Sequence, residues 1–306
     1  MRAHAIAVQF QSDWWEVLQT HFMRNALIGG SLVALAAGLL GYFVITRGNA
    51  FAAHALAHIG FPGATGAILV GAPVTLGLAV FCVGGGLLIG LLGRRVAERE
   101  IATGTVLAFA TGLGVLFGSL ASASASATTS VLFGNLLAVS DGELAVFALF
   151  TAGVVLVLAF VARPLVFASV DPAVAEARGV PVRALGIAFV VLLALTITMA
   201  VQVVGTLLLF GLVVTPAATA LRLTARPGRV AAIAVGIALM SVWAGLVLAA
   251  MLDLPPSFFV VTVSVLVWVV VLVATRRRVG RLPAARGHGG AHTAETVPTA
   301  GAAMVL

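Results

Sequence analysis

The chain has no lysine: all 17 of its basic Lys+Arg residues are arginine. A phosphate-cradling GxxxxGK[ST] loop needs a lysine to reach the phosphates, so ATP is not bound in that manner. Lysine Schiff-base chemistry is excluded too. Cysteine is almost absent, with Cys82 alone in an apolar run, so no internal disulfide or thiolate cluster can form. Cys82 reads as a small packing residue. Charge is scarce, at 9% of 306 residues against 61% apolar. Soluble domains carry about 25% charged residues. A water-soluble enzyme is thereby excluded, and an all-α, polytopic membrane protein is expected. The net charge of +7 sits in short arginine clusters between apolar runs. That pattern is an orientation signal for a lipid bilayer, not a surface for nucleic acid.

What the chain does have is long apolar runs. A spanning helix takes about 20 such residues, and eight are expected: 22–46, 66–92, 101–120, 144–167, 184–201, 204–221, 230–251 and 258–274. Residues 1–21 read as an N-terminal interfacial segment rather than a signal peptide, with Trp14 and Trp15 as anchors. Residues 22–275 form the membrane domain, and 276–306 read as a disordered tail. With both termini cytoplasmic, the arginines fall inside except Arg47, as the positive-inside rule demands.

Three stretches resist a plain spanning helix. Gly48–Thr65 is too apolar for an exposed loop, and a re-entrant segment after the first span would explain it. Leu120–Ser130 alternates Ala with Ser and Thr and is expected as an outside loop running into a half-helix. Thr215-Pro216 falls inside an expected span, where proline removes a backbone bond and bends the helix.

None of the ten acidic residues is central in an expected span. Proton-coupled carriers keep buried carboxylates as relays, so that class is disfavoured. His54 and His58 are the strongest polar signal. Four residues apart in AFAAHALAHIGF, their imidazoles face the same way on a helix. Imidazole suits several first-row metals, and two ligands alone suit a path that an ion must also leave. Two histidines satisfied by carbonyls or water remain the plain alternative. His288 and His292 in the tail read as incidental, and His4 and His21 have no partner. In DPAVAEARG, Asp171 can cap a short helix that starts at Pro172 and ends at Gly179. A short helix of this kind in an inside loop is a candidate docking element.

Six stretches in order give a resemblance. They are FMRNALIGG with GLLGYFVITRGNAFAAHALAHIGFPG; EREIATGTVLAFATGLGVLF; LFGNLLAVS; DPAVAEARGVPV; VVGTLLLFGLVVTPAATALRLT; and LDLPPS. The chain resembles the permease subunits of bacterial zinc- and manganese-type metal ABC importers, the ABC-3 family. The resemblance implies a second permease copy forming the path as a dimer. It also implies cytoplasmic ATP-binding subunits, an extracytoplasmic metal-binding protein, and residence in the inner membrane. It implies no permanent cofactor and no catalysis by this chain. The family usually places Asp and His before the Pro-Gly; here the positions hold His54 and His58, with Ala57 nearby. Losing a carboxylate shifts the expected cargo from manganese towards zinc, with iron also compatible. The resemblance further implies ATPase coupling through Asp171, Glu176, Ala177 and Gly179, while the proline itself gives Thr215 and Pro216 as a helix bend, with simple packing the equal alternative. The rival readings are a permease for a metal chelate and an intramembrane metalloenzyme, the latter lacking an HExxH motif and a buried carboxylate.

Overall fold

The computed structural model describes residues 14–92, 96–121 and 133–279. His288, His292, most of the Ala/Ser/Thr stretch and the tail beyond Val279 lie outside the described residues. A short α1 (Trp14–Gln19) precedes α2 (His21–Thr46), α3 (Ala50–Val70), α4 (Val74–Leu92) and α5 (Val96–Leu120). After a 3-10 turn (Leu136–Ala138) come α6 (Asp141–Val170), the small α7 (Pro172–Ala177) and α8 (Val182–Val213). The series ends with α9 (Thr215–Leu223), α10 (Pro227–Leu252) and α11 (Pro256–Val279). Eight helices are long and apolar enough to cross a membrane.

The count of eight agrees with the sequence, but two segments exchange places. No re-entrant hairpin follows α2. Residues 50–70 form one helix of 21 residues, about 30 Å at 1.5 Å per residue. Its alanines and glycines lower the apolar signal without lowering helix length. They are small because α3 is central, packed against α4, α5 and α8. A Cβ on Gly60 would sit 3.0 Å from both Cys82 Sγ and Leu78 Cδ2. Gly63 and Gly77 meet backbone to backbone. Close approach through small residues is how helices associate where lipid gives no hydrophobic drive. Conversely, the two spans expected over 184–201 and 204–221 become one long ascent in α8 and a short return, Leu209–Leu223.

Contacts fix how the helices run. At one end of α2, Asn25 Nδ2 donates to Asp141 Oδ1 at 2.7 Å, and His21 Nε2 lies 3.6 Å from the same oxygen. At the other end, Arg47 donates to Ser169 Oγ at 3.2 Å. So α2 and α6 run parallel. The Arg47 guanidinium also covers the Phe189 ring at 5.4 Å, near the start of α8. Thr75, at the start of α4, donates to Gln202 near the top of the α8 ascent. Gly38 packs on Val235 and Gly30 on Val242, so α10 runs against α2. Gly245 packs on Val260, so α11 runs against α10.

One face therefore gathers Arg47, Arg99 in the first turn of α5, Arg178, Arg183, Arg222, Arg226, Arg229 and Arg276. Among the described residues, the opposite face has Arg24 near it. The positive-inside rule places the arginine-rich face in the cytoplasm. Two expectations change with it. Arg47 belongs inside, not outside. The described ends, Trp14 and Val279, lie on opposite faces rather than both inside, because α3 adds a crossing where a re-entrant segment was expected.

Candidate functional site

The site is built on α3. Asn49 opens the helix without a side-chain cap, and the alanine-rich AFAAHALAH run then favours helix. His54 and His58 fall one turn apart on this helix. Their rings meet edge-on, with centroids 4.8 Å apart and planes at 78°. Both are half-buried. His54 Nδ1 is buried and has no hydrogen-bond partner, a costly state that demands an explanation in a native fold. The Phe210 ring stands against His54, at 6.3 Å and 79°. Phe210 is itself 43% exposed, so the pair lies on a flank that one copy of the chain leaves open. Four and eight residues into α3, the histidines sit nearer the Arg47 end than the Val70 end. Pro62 follows four residues after His58 and has no N–H to give to the His58 carbonyl. No group of three His, Cys, Asp or Glu side chains able to hold a metal occurs among the described residues.

Phe210 is brought there by a break in α8. Gly205 has φ 81° and ψ 168°, and the helix turns back on itself at this residue. Ser257 donates to the Val203 carbonyl and Ser264 to the Gly211 carbonyl, so the chain descends beside α11 after the break. The carbonyls freed by the break are taken up from outside the helix: Asn135 N–H donates to Gln202 O at 3.0 Å. Gly134, with φ 75°, lies so close that a Cβ there would fall 2.6 Å from Gly205 N. Residues Gly134-Asn135 are thus a cap for a broken helix, and Leu136–Ala138 the 3-10 turn after it. Irregular backbone at membrane depth is tolerated where protein buries it.

A cavity of about 190 Å³ opens on the face opposite the arginines, lined among others by Val74, Leu78, Glu143, Phe147 and Gln202. Leu78 also packs on Gly60, two residues from His58.

On the arginine-rich face, α7 forms as the sequence predicts. Asp171 Oδ1 accepts from Val174 N–H at 3.0 Å, and Pro172 opens the helix. Gly179, with φ 81°, ends the turn while Val180 N–H donates to Ala175 O at 3.0 Å. Ala175 is buried and anchors α7; Asp171, Glu176, Ala177 and Gly179 are exposed. These four lie together, and apart from the histidine pair. Thr215 and Pro216 open α9 after Val214, whose backbone is itself in the right-handed helical region. Pro216 lies inside the short apolar return Leu209–Leu223 and also in the first turn of α9, where proline is favoured.

Sequence reasoning missed Phe210, Gly205 and the Arg47 anchor. A glycine inside a long apolar run is a weak signal for a break, and Arg47 was assigned to the wrong face.

The ABC 3 transport family matches residues 19–275. The chain belongs to the ABC 3 transport family. It is 34% identical over 203 residues to the manganese import system permease protein ScaB of Streptococcus parasanguinis, covering 66% of this chain and 72% of that one. It is 30% identical to a probable iron transport system membrane protein of Haemophilus influenzae, covering 87% and 99%. A solved structure of PsaBC from Streptococcus pneumoniae in complex with Fab superposes with TM-score 0.77 at 26% identity, covering 85% and 94%. This family member is a multi-pass inner-membrane transport subunit and not an enzyme, which sets the metalloenzyme reading aside.

Proposed function

We propose that this chain is the permease of an ATP-driven importer for a divalent first-row metal ion, zinc ahead of manganese. The observation that carries the reading is the edge-on His54–His58 pair with a buried, unpartnered nitrogen on the central helix. Imidazole is a borderline-soft ligand that zinc accepts readily, while manganese prefers carboxylate and carbonyl oxygen. The half-open flank around His54 and Phe210 fits a path completed by a second copy of the chain. An outside binding protein would release the ion near the Glu143–Gln202 cavity, and separate ATPase subunits would drive the cycle. A second reading, manganese or iron, is favoured by the names of the relatives above. ATP-dependent uptake of radioactive zinc and manganese into vesicles carrying the complete transporter separates the two. Zinc uptake that manganese in tenfold excess fails to block supports the first; manganese uptake with zinc excluded supports the second. Uptake of a labelled chelate with neither free ion overturns both.

We further propose that α7 is where the ATPase engages, through Glu176, Ala177 and Gly179. Motion there has a short route to the histidines. Arg47 binds Ser169, two residues before Asp171, and covers Phe189, and it directly precedes the turn into α3. Glu176→Ala and Arg47→Ala are expected to leave ATP hydrolysis running while ions moved per ATP fall at least several-fold. If both keep the wild-type ratio, coupling does not pass through this contact.

A further inference from the structure

Two imidazoles do not complete a metal site, and no third His, Cys, Asp or Glu joins them among the described residues. The missing donor must come from another residue type. Besides His54 Nδ1, the buried side-chain polar atoms without a partner include Thr206 Oγ1. Thr206 is 0% exposed. It follows Gly205 directly, at the top of the descending half of α8. A threonine in a helix ordinarily turns its hydroxyl onto the carbonyl three or four residues back. Thr198 does so, donating to Ala194 O at 2.9 Å. For Thr206 those carbonyls, Gln202 and Val203, lie across the break, and Asn135 N–H and the Ser257 hydroxyl occupy them instead.

The direction of the orphaned hydroxyl follows from helix geometry. Thr206 and Phe210 are four residues apart on the descending segment, so they share a face. Phe210 meets His54. The segment descends towards the arginine-rich face, while α3 ascends from it. Moving from Phe210 to Thr206 is therefore the same direction as moving from His54 to His58. Thr206 lies level with the second histidine, on the face that Phe210 turns to the first.

Resting on the reading of the pair as the metal path, we propose that the Thr206 hydroxyl is its third donor, giving two nitrogens and one neutral oxygen. Such a set carries no charge, so it lowers the barrier to a divalent ion without trapping it. A permeating ion has to leave each site it enters. The break at Gly205 then has a chemical consequence: it strips the hydroxyl of its usual backbone acceptor and leaves its oxygen free for an ion.

The test compares Thr206→Val and Thr206→Ser in the complete transporter, reading uptake of radioactive zinc and manganese together with thermal midpoint. Replacing an unpartnered buried hydroxyl by a methyl leaves stability unchanged or raises it. The expected result is a KM for the ion raised about tenfold in the valine variant, with a midpoint no lower than wild type, and near-normal uptake in the serine variant. Should the valine variant fail to fold, Thr206→Ala carries the same comparison. Unchanged uptake without the hydroxyl overturns the proposal. So does a loss of uptake that follows a lowered midpoint and that serine does not restore. His54→Ala and His58→Ala run beside them. If these abolish uptake while Thr206→Val does not, Thr206 is dismissed and the pair stands; if they transport normally, the pair itself is dismissed.

Discussion

Replacing His58 by alanine is expected to reduce ATP-dependent metal uptake by about tenfold or more, and replacing both His54 and His58 to abolish it. Loss of groups that only orient a metal ligand costs about 10–100-fold, and removing the ligand itself should cost no less. The fold should survive. Both rings are half-buried, neighbouring Ala53, Ala55 and Ala57 already line this part of α3, and His54 Nδ1 gives up no hydrogen bond. Purified yield and ATPase assembly should therefore match wild type. Asparagine at either position, which keeps a polar group but not the imidazole, should rescue little. Normal uptake by the double alanine variant would show that the ion travels elsewhere.

Replacing Gly205 by alanine is expected to damage the fold itself. At φ 81° and ψ 168° the residue lies in a backbone region reserved almost wholly for glycine, where a side chain costs about 1–3 kcal/mol. Gly134 lies so close that a Cβ placed on it would fall 2.6 Å from Gly205 N, so a change of backbone at Gly205 also disturbs the capping loop. The break would either straighten, carrying Phe210 and Thr206 off the histidines, or stay strained. The thermal midpoint in detergent should fall by several degrees and uptake should drop with it. Gly236→Ala is the control: this helical glycine has nothing within 4 Å of an added Cβ, and alanine there should be neutral or stabilising by about 0.5–1 kcal/mol. If Gly205→Ala proves as mild as Gly236→Ala, the break does not need glycine.

The bilayer character, seven of the eight long helices and the Asp171–Gly179 element were legible because each rests on a local signal. Hydropathy marks a span, and Asp171-Pro172 with a glycine seven residues on marks a capped helix. The direction of travel was not local. Residues 50–70 looked too rich in Ala, Gly, His and Pro for a span, yet those small residues are what a central helix needs to pack closely on Gly77 and Leu78. Once that segment was read as a dip, the one helix before it, α2, was assigned the opposite direction, and Arg47 went to the outer face. The arginine count still balanced, since every helix after α3 kept its direction and, among the described arginines, only Arg24 and Arg47 changed sides. His54 and His58 were legible as a pair from their spacing. Phe210 and Thr206 were not, being about 150 residues away by the numbering and delivered by a glycine turn that hydropathy does not register.

X-ray absorption at the zinc edge tests the central claim most directly, on the complete transporter loaded with zinc in the absence of ATP. The account predicts imidazole scattering with nitrogens at about 2.0–2.1 Å, lost in the His54→Ala/His58→Ala variant. Imidazole scattering that persists in the double variant, or zinc bound to the wild type without any imidazole, would contradict it.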